Sequence, residues 1–386
     1  MSNNVTRRDV LQRLFATGVA LELGGLPLAV LAQGEYVVPF TDIPPPAPPA
    51  AGAPVAPPRF DPKNLTNFIV SNEEFFAVSH YGMPVVDQAA YKLRVTGLVE
   101  RPLELTLADL RKRPRVEHAV GFECSGNNNT RGNPLVGNAR WAGAALAPIL
   151  KEARLKSNAR EIVFFSADKG PEEVTHGRGN VKTEQHFARG METDAALRPE
   201  VLVAYEMNGQ PLPQKHGAPI RLVAPGWYGV ANVKWLDHIH AQDSRYMGRF
   251  MGRDYVTLKS ETVGGEELWL ETWVGRTRLK SAIVRLTRNG NTLKAVGFAL
   301  TDGTPLKAVE VKVDGGPWKA ATMWKENSAH SWKLFSYEWA GAQPGEHTVV
   351  SRAIDARGDV QPDQDHPTKR SQWENNGQFV RKFTIA

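Results

Sequence analysis

Cys124 is the only cysteine in this chain of 386 residues. It lies in a run of small and polar residues, GFECSGNNNTRG, at positions 121–132. One sulfur cannot form an internal disulfide bond, so a functional Cys124 would act as a thiol, a thiolate nucleophile or a metal ligand. The Ser, Gly and Asn residues around it favour tight turns and supply neutral donors that can orient the sulfur. The alternative is a small buried apolar side chain, the commoner state of a lone cysteine.

His238 and His240 are a second pair of candidate metal ligands. Two residues apart on a strand, they would point to the same face, but the sequence offers no third ligand beside them. We therefore expect hydrogen-bonded histidines at these positions and not a metal site.

The N-terminus has the pattern of an export signal. The sequence TRRDVL at positions 6–11 contains a twin arginine, and a mostly apolar stretch interrupted by Glu22 and Pro27 follows, from Leu14 to Ala32. This favours a twin-arginine (Tat) signal peptide over residues 1–32 rather than a membrane span, with an uncleaved anchor as the alternative. Because the Tat route carries folded and usually cofactor-loaded proteins, the pattern predicts a periplasmic protein with a bound cofactor and no membrane span in its mature form.

The composition is that of a large globular protein. Hydrophobic residues make up 41% of the chain and charged residues 23%, which is enough for full cores and two domains. The formal net charge is +6, but no basic run exceeds the short segment 111–115, so we expect no nucleic-acid binding. A single cysteine cannot form a Cys-x-x-Cys-His site, so we expect no haem in this chain.

Pattern divides the chain into an N-terminal α+β domain and a C-terminal all-β domain. Residues 33–62 are proline-rich and predict an extended segment. Residues 63–258 alternate strand-like runs at 91–95 and 161–165 with helix-like runs at 107–113 and 144–153. In residues 259–386 the helical signals fade. The run 308–313 alternates with period two, and this run and the run 345–353 lead into Gly and Asp turns. Such short strands favour an immunoglobulin-like sandwich.

Five segments together resemble the sulfite oxidase family of molybdenum enzymes, as a bacterial sulfite- or sulfane-dehydrogenase-like member. In chain order they are FFAVSH at 75–80, GFECSGN at 121–127, AYEMNGQPLP at 204–213, HGAPIR at 216–221 and NVKWL at 232–236. The match extends from about Phe68 to the C-terminus. It implies a molybdopterin-binding α+β domain followed by an immunoglobulin-like dimerisation domain, and therefore a homodimer.

The resemblance also implies a cofactor, one molybdenum–molybdopterin group per chain. Cys124 would bind the metal beside two dithiolene sulfurs of the pterin, since sulfur is a suitable soft ligand. Tyr255, in the matching segment GRDY, would be catalytic. The implied cofactor contacts are Phe76, Ala77, Val78, Ser79, His80, Asp168, His216, Arg221, Asn232, Val233 and Lys234. Taken singly, the histidines could be core residues, Lys234 and Arg221 solvated strand ends, Asp168 a strand terminus and Tyr255 a packed residue at the domain junction.

The substrate pocket departs from the family pattern. Val78, Asn129 and Asn376 stand where the family has arginines that suit a small dianion. With Arg131, which could restore one cation, they form our predicted substrate pocket. Arg189 and Lys333 are two further cations that could reach it. The expected substrate is accordingly a less anionic sulfur compound, a sulfane group on a carrier protein, or sulfite bound by relocated cations.

The reaction implied by the resemblance is oxygen-atom transfer to sulfur, with electrons leaving singly to a separate c-type cytochrome. A reductase of sulfoxides or related oxides is an alternative, against which the predicted sandwich domain argues. A non-catalytic exported binding protein is another.

Overall fold

The computed structural model describes residues 31, 34–43, 60–127, 134–177 and 179–386. The predicted signal peptide 1–32, apart from residue 31, lies outside the described residues, as do residues 44–59 of the proline-rich segment. Within that segment, Glu35–Val37 forms a strand that pairs with a strand of the C-terminal region. No described helix is long and apolar enough to cross a membrane.

Strands dominate the described chain. In chain order they are β1 Glu35–Val37, β2 Lys92–Gly97, β3 Leu103–Thr106, β4 Arg115–Glu123, β5 Val136–Ala145, β6 Glu161–His176, β7 Gly179–Glu192, β8 Leu202–Met207, β9 Gln210–Pro211, β10 Arg221–Val223, β11 Leu236–Gln242, β12 Val256–Val263, β13 Glu266–Trp273, β14 Lys280–Asn289, β15 Thr292–Leu300, β16 Leu306–Val313, β17 Lys319–Ala320, β18 Thr322–Met323, β19 Lys333–Ala340, β20 Gly345–Asp355 and β21 Arg381–Ile385. The strands predicted at 91–95, 308–313 and 345–353 are confirmed within two residues, and the strand predicted at 161–165 is confirmed as the first part of the longer β6.

The helices are few and short. They are α1 Leu107–Arg111, α2 Leu146–Ala153, α3 Thr193–Ala196 and α4 Arg249–Gly252, with 3₁₀ turns at Pro62–Asn64, Gln214–His216 and Gly229–Ala231. The helices predicted at 107–113 and 144–153 are confirmed in shorter form. Helix α1 begins at a capping box, in which the Thr106 hydroxyl accepts from the Asp109 amide (3.1 Å) and the Asp109 carboxylate accepts from the Thr106 amide (3.1 Å).

Two sheets form the N-terminal part. One has the order β3-β2-β11-β6-β7, with β11 parallel to β2, and the other has the order β10-β8-β5-β4, with β9 paired to β8. A hydrophobic core lies between the two sheets and includes Phe164, Val203 and Leu222 together with apolar residues of α2. Successive side chains of a strand face opposite sides, so Leu202 and Ala204 of β8 point to a second core behind that sheet.

The second core joins the N-terminal part to the C-terminal region. It also contains Val284, Phe298 and Trp332 from the sheet ordered β1-β14-β15-β19-β18 or its connections. A third core lies between that sheet and the sheet ordered β17-β16-β20-β21. Four sheets are thus stacked with three cores between them, and β12 and β13 form a separate hairpin.

Residues 259–386 form strands, turns and loops without a helix, and all of them are described. The all-β prediction for this region is confirmed, and the chain as a whole is mostly β. The immunoglobulin-like topology and the domain boundaries at 62 and 258 stay predictions.

Candidate active site

Cys124 follows directly after β4, in a turn held at both ends by backbone hydrogen bonds. The Cys124 amide donates to the Leu135 carbonyl (2.9 Å), and the Asn127 amide donates to the Cys124 carbonyl (2.9 Å). A side chain at Gly126 would be too large, because a Cβ there would lie 2.8 Å from the Trp373 ring. The turn places a half-buried thiol at the end of a rigid strand.

A buried ion pair supports this turn from behind. Lys280 Nζ lies 2.8 Å from Glu123 Oε1, and their side chains are 1% and 0% exposed. Asn127 Nδ2 donates to the same carboxylate oxygen (2.8 Å). Since Lys280 begins β14, the pair ties the cysteine-bearing strand to the C-terminal region.

The thiol faces a cleft of about 650 Å³, part of which is open to solvent. Cys124 and Tyr255 line the cleft, as do all of the predicted cofactor contacts except His216 and Val233. These side chains come from segments that are far apart in the chain, so the fold brings the predicted site residues together. Their roles stay predictions.

Arg221 is the most deeply buried cation of the cleft. Its Nη1 donates to the His216 carbonyl (3.0 Å) and its Nη2 to the Asn232 carbonyl (2.9 Å). The guanidinium also lies over two aromatic rings, 4.6 Å from the centroid of Trp141 and 5.2 Å from that of Phe122. Burial lowers the pKa of Arg221, but a guanidinium keeps its charge at neutral pH.

Lys234 is the second cation of the described lining. Its Nζ lies 4.1 Å from the Trp235 ring centroid and 3.3 Å from the Lys215 carbonyl oxygen. Burial, together with the charge of Arg221, lowers the pKa of Lys234 to about 7. An anion bound here would favour the charged ammonium.

Asp168 lies at a β-bulge, where β6 and β7 lose register between Phe165 and Lys169. Its carboxylate accepts from the Ser166 hydroxyl and from the Tyr81 amide (3.4 Å). Burial raises the pKa of Asp168. The bulge therefore presents a hydrogen-bond acceptor to the cleft.

Asn232 holds its own loop. Its Oδ1 accepts from the Ala224 amide (2.7 Å) and its Nδ2 donates to the Tyr228 carbonyl (3.0 Å). The side-chain amide of Asn232 thus fixes the loop between residues 224 and 232. The backbone carbonyl of Asn232, at the end of this loop, accepts from Arg221 Nη2.

His80 and Tyr255 form a hydrogen-bonded pair beside Cys124, with His80 Nε2 2.7 Å from Tyr255 Oη. Burial, together with the Lys234 charge, lowers the pKa of His80 to about 4. Burial, together with Cys124, raises the pKa of Tyr255 to about 12. Both side chains are neutral at neutral pH. Either of them can therefore be the donor of the one hydrogen bond that joins them.

Tyr255 has a left-handed backbone, with φ of 58°. This conformation is costly for a bulky residue and persists only where the surroundings hold it. The Val274 amide donates to the Tyr255 carbonyl (2.8 Å), and the phenol ring stacks on Trp373 at a centroid distance of 4.5 Å. The Glu374 amide donates to the Ser125 carbonyl (2.8 Å), so the same C-terminal segment contacts both Tyr255 and the cysteine turn.

Two predicted cofactor contacts lie behind the cleft. His216 is buried, with its Nε2 2.7 Å from the Asn72 carbonyl oxygen, and Val233 is fully buried in the core. The His216 side chain is a core histidine, while its carbonyl accepts from Arg221. Neither side chain lines the cleft, and a cofactor contact through either residue stays a prediction.

The predicted substrate pocket is only partly assembled. Val78 lines the cleft and is 42% exposed, whereas Asn376 lies outside the lining and its Nδ2 is 3.4 Å from the Leu279 carbonyl oxygen. Asn129 and Arg131 lie outside the described residues. Arg189 is buried behind Tyr255, and Lys333 Nζ donates to the carbonyls of Ala329 and Ser331 (3.0 Å each). Neither of these two cations lines the cleft.

Sequence reasoning missed several residues of the lining. These are Phe75, Phe122, Phe187, Gly229, Val230 and Trp235. Phe75, Phe122 and Trp235 lie inside the motifs FFAVSH, GFECSGN and NVKWL, which was a usable signal. Nothing local to Phe187, Gly229 or Val230 distinguishes them from ordinary strand and turn residues.

The donor set of the cleft fits a molybdenum–molybdopterin group. The thiol of Cys124 is a soft ligand for the metal, and Arg221 and Lys234 are cations suited to a phosphate. Asp168 adds an acceptor, and the aromatic walls suit a planar ring system. The buried ammonium of Lys234, without a carboxylate within ion-pair distance among the described residues, is the observation that most favours an anionic occupant.

Comparison with known proteins supports this assignment. Residues 80–250 match the family described as "Oxidoreductase molybdopterin binding domain". The chain is 31% identical over 334 residues to the mitochondrial sulfite oxidase of Rattus norvegicus, a match that covers 78% of this chain and 59% of that protein. It is 30% identical over 328 residues to the sulfite oxidase of Gallus gallus, covering 77% of this chain and 68% of that protein.

A solved structure shares the fold. The crystal structure of the sulfane dehydrogenase SoxCD from Paracoccus pantotrophus superimposes with a TM-score of 0.69 at 22% sequence identity, covering 84% of this chain and 86% of that chain. By its sequence matches to the molybdopterin-binding domain and to sulfite oxidases, this chain belongs to the sulfite oxidase family of molybdopterin oxidoreductases.

Proposed function

We propose that this protein is a molybdenum-dependent oxidoreductase that oxidises a sulfur substrate, sulfite or a sulfane, by oxygen-atom transfer. The observation that carries this assignment is the cleft itself, where the Cys124 thiol, the neutral His80–Tyr255 pair and the cations Arg221 and Lys234 line one space. Family membership supports it. The chain spans only about 59% of the length of the rat enzyme, so activity is assigned from the site.

The residues that would hold the cofactor follow from their positions. Cys124 would bind the metal, Arg221 and Lys234 would bind its anionic groups, and Asp168 would accept a hydrogen bond from the pterin. When bound, the group supplies the two-electron redox centre for oxygen-atom transfer. One turnover on sulfite consumes one water molecule and yields sulfate, two protons and two electrons.

The chain's own contribution is to hold and move protons at the cleft. The Tyr255 hydroxyl keeps its proton at neutral pH, because burial raises the pKa of the phenol to about 12. Burial lowers the pKa of His80 to about 4, so its imidazole is neutral at neutral pH. Depending on its tautomer, His80 Nε2 either accepts a hydrogen bond from the Tyr255 hydroxyl or donates one to it. The pair can therefore donate to an oxygen that gains charge in the cleft and help release water protons.

The described lining supplies few cations for a free dianion. Arg221 and Lys234 are assigned to the anionic groups of the cofactor, and Val78 contributes no charge. We therefore propose that a sulfur compound with less charge than sulfite, such as a sulfane group on a carrier, is a better substrate. Sulfite would need a further cation, the role predicted from the sequence for Arg131.

Three further properties complete this proposal. Residues 1–32 export the folded protein to the periplasm by the Tat route, and a c-type cytochrome accepts the electrons one at a time. The third property is that the C-terminal region is an immunoglobulin-like dimerisation domain; its two sheets share a core of their own, and none of its residues lines the cleft.

The test is metal and turnover analysis of the full chain from a molybdenum-replete host. We expect one molybdenum per chain and reduction of cytochrome c by sulfite or a sulfane donor. Cys124→Ser should remain folded, by circular dichroism, and lose turnover. A folded wild-type protein without molybdenum would favour an exported binding protein, and reduction of sulfoxides without oxidation of any sulfur donor would favour a reductase.

A further inference from the structure

The guanidinium of Arg189 is buried behind the His80–Tyr255 pair without lining the cleft. Arg189 lies in β7 and is 1% exposed. Its Nε atom has no hydrogen-bond partner, and no carboxylate among the described residues forms an ion pair with it. A buried cation without a paired anion is unfavourable, and an apolar side chain of similar volume would commonly pack there at lower cost.

Both terminal nitrogens of Arg189 bind backbone carbonyls that flank Tyr255. Nη1 donates to Phe250 in α4, and Nη2 donates to Val274, just after β13. The Val274 amide in turn donates to the Tyr255 carbonyl (2.8 Å). The Phe250 ring lies 4.4 Å from the His80 ring, centroid to centroid. Arg189 therefore joins the two segments that contact the two members of the hydrogen-bonded pair.

The same face of β7 supports His80 directly. Phe187 precedes Arg189 by two residues, so both side chains point to one side of the strand. The Phe187 ring stacks on His80 with a centroid distance of 4.6 Å and an interplanar angle of 10°. One strand face thus holds His80 through Phe187 and the Tyr255 backbone through Arg189.

We infer that Arg189 is a positioning residue for Tyr255, fixing the two backbone segments that keep the phenol within hydrogen-bonding distance of His80. The left-handed backbone of Tyr255 makes such a clamp necessary, because the residue would otherwise relax to a commoner conformation. The catalytic part of this inference rests on the proposed function, whereas the clamp itself is a property of the fold.

The first test is a double-mutant cycle on the holoenzyme, with Arg189→Met, Tyr255→Phe and the combination. We expect Arg189→Met to lower kcat by about 100-fold, the cost of a misplaced catalytic group, with KM and molybdenum content little changed. In the Tyr255→Phe background the same substitution should lower kcat no further, since the phenol it positions is gone. An equal loss in both backgrounds would mean that Arg189 has a general structural role and would overturn the inference.

The second test needs no activity. Hydrogen exchange of the holoenzyme should show faster exchange of the Val274 amide in Arg189→Met, with no change in β14 or β15, because only the local clamp is lost. Unchanged exchange at Val274 would contradict the inference. If no sulfur substrate is oxidised, this result still decides whether the clamp exists, so the two failures can be told apart.

Two variants serve as controls. Arg285→Met removes another buried arginine, one that donates to the Leu65 carbonyl (3.2 Å) and does not line the cleft. It should lower stability without lowering kcat. Arg189→Lys keeps the positive charge and one donor nitrogen, so it should recover part of the kcat lost in Arg189→Met. If the methionine variant does not fold, both tests are made with Arg189→Lys instead.

Discussion

At the scale of single residues, burial decides which groups of the cleft are charged. It keeps His80 neutral and the Tyr255 phenol protonated, since it lowers the pKa of His80 to about 4 and raises the pKa of Tyr255 to about 12. Burial also brings the pKa of Lys234 to about 7, so this cation is only partly charged until an anion arrives. The site thus combines the neutral His80–Tyr255 pair with Lys234, whose degree of protonation depends on whether an anion is bound beside it.

This charge state predicts a pH dependence of cofactor binding. The affinity of the apoprotein for the anionic pterin cofactor should fall as pH rises above about 7, because free Lys234 then loses the proton that the bound form must regain. Lys234→Met should bind the cofactor about 10-fold or more weakly, as expected for loss of a charged hydrogen bond, and should lose this pH dependence. Reconstitution titrations at several pH values measure both effects.

Lys333 offers a matched control for that experiment. Burial lowers its pKa to about 8, and its ammonium binds backbone carbonyls away from the cleft. Lys333→Met should therefore leave cofactor affinity and its pH profile as in the wild type. Equal weakening in both lysine variants would contradict the role given to Lys234.

At the scale of elements, β4 and β14 together position the cysteine turn. β4 carries Glu123 and leads into Cys124, and β14 begins with Lys280, whose ammonium is buried against Glu123. The segment of Trp373 and Glu374 packs against the same turn from the other side. The turn is therefore held by residues far away in the sequence: Lys280 is 157 positions from Glu123, and Trp373 and Glu374 are further still.

The ion pair can be tested by substituting one partner and then both. Lys280→Met should lower the free energy of unfolding by about 3–5 kcal/mol, because it leaves the Glu123 carboxylate buried and unpaired. Glu123→Gln combined with Lys280→Met should recover most of that loss, since no buried charge remains. Urea unfolding of the wild type and the two variants measures the difference; a Lys280→Met protein as stable as the wild type would rule out a structural role for the pair.

At the scale of the whole molecule, the second core makes the catalytic part and the C-terminal region interdependent. This core contains Ala204 and Phe122 from one side and Phe298 and Trp332 from the other. A boundary near residue 258 therefore separates the two regions in sequence but crosses a shared core in space. Unfolding of either region alone would expose the apolar surface of the other that this core covers.

Calorimetry can test this coupling. We expect the holoprotein to unfold in one cooperative transition rather than two, because exposing the shared core costs both regions their packing. Lys280→Met should shift that single transition to lower temperature. Two separate transitions, with only one of them moved by Lys280→Met, would show that the regions are independent.

Local patterns in the sequence were enough for much of the fold and part of the site. Alternation of apolar residues predicted β16, and the turn after residue 353 helped to predict β20. The ordered motifs predicted that Cys124, Arg221 and Lys234 lie near one another. The cations expected beside the substrate were less predictable. Arg189 and Lys333 have the right charge, but their side chains are directed by strand faces and loop carbonyls that no short motif reveals.

The sequence by itself determined the family, the thiol and the order of the elements, because these depend on residue types and on spacings within single segments. Only the tertiary structure decided the hydrogen bond between His80 and Tyr255, which are 175 residues apart, and the clamp of Arg189 behind them. It also placed His216 and Val233 behind the cleft. The physical reason is that such contacts depend on how sheets stack and which strand face is buried, and residues far apart in the chain share that packing without sharing a local pattern.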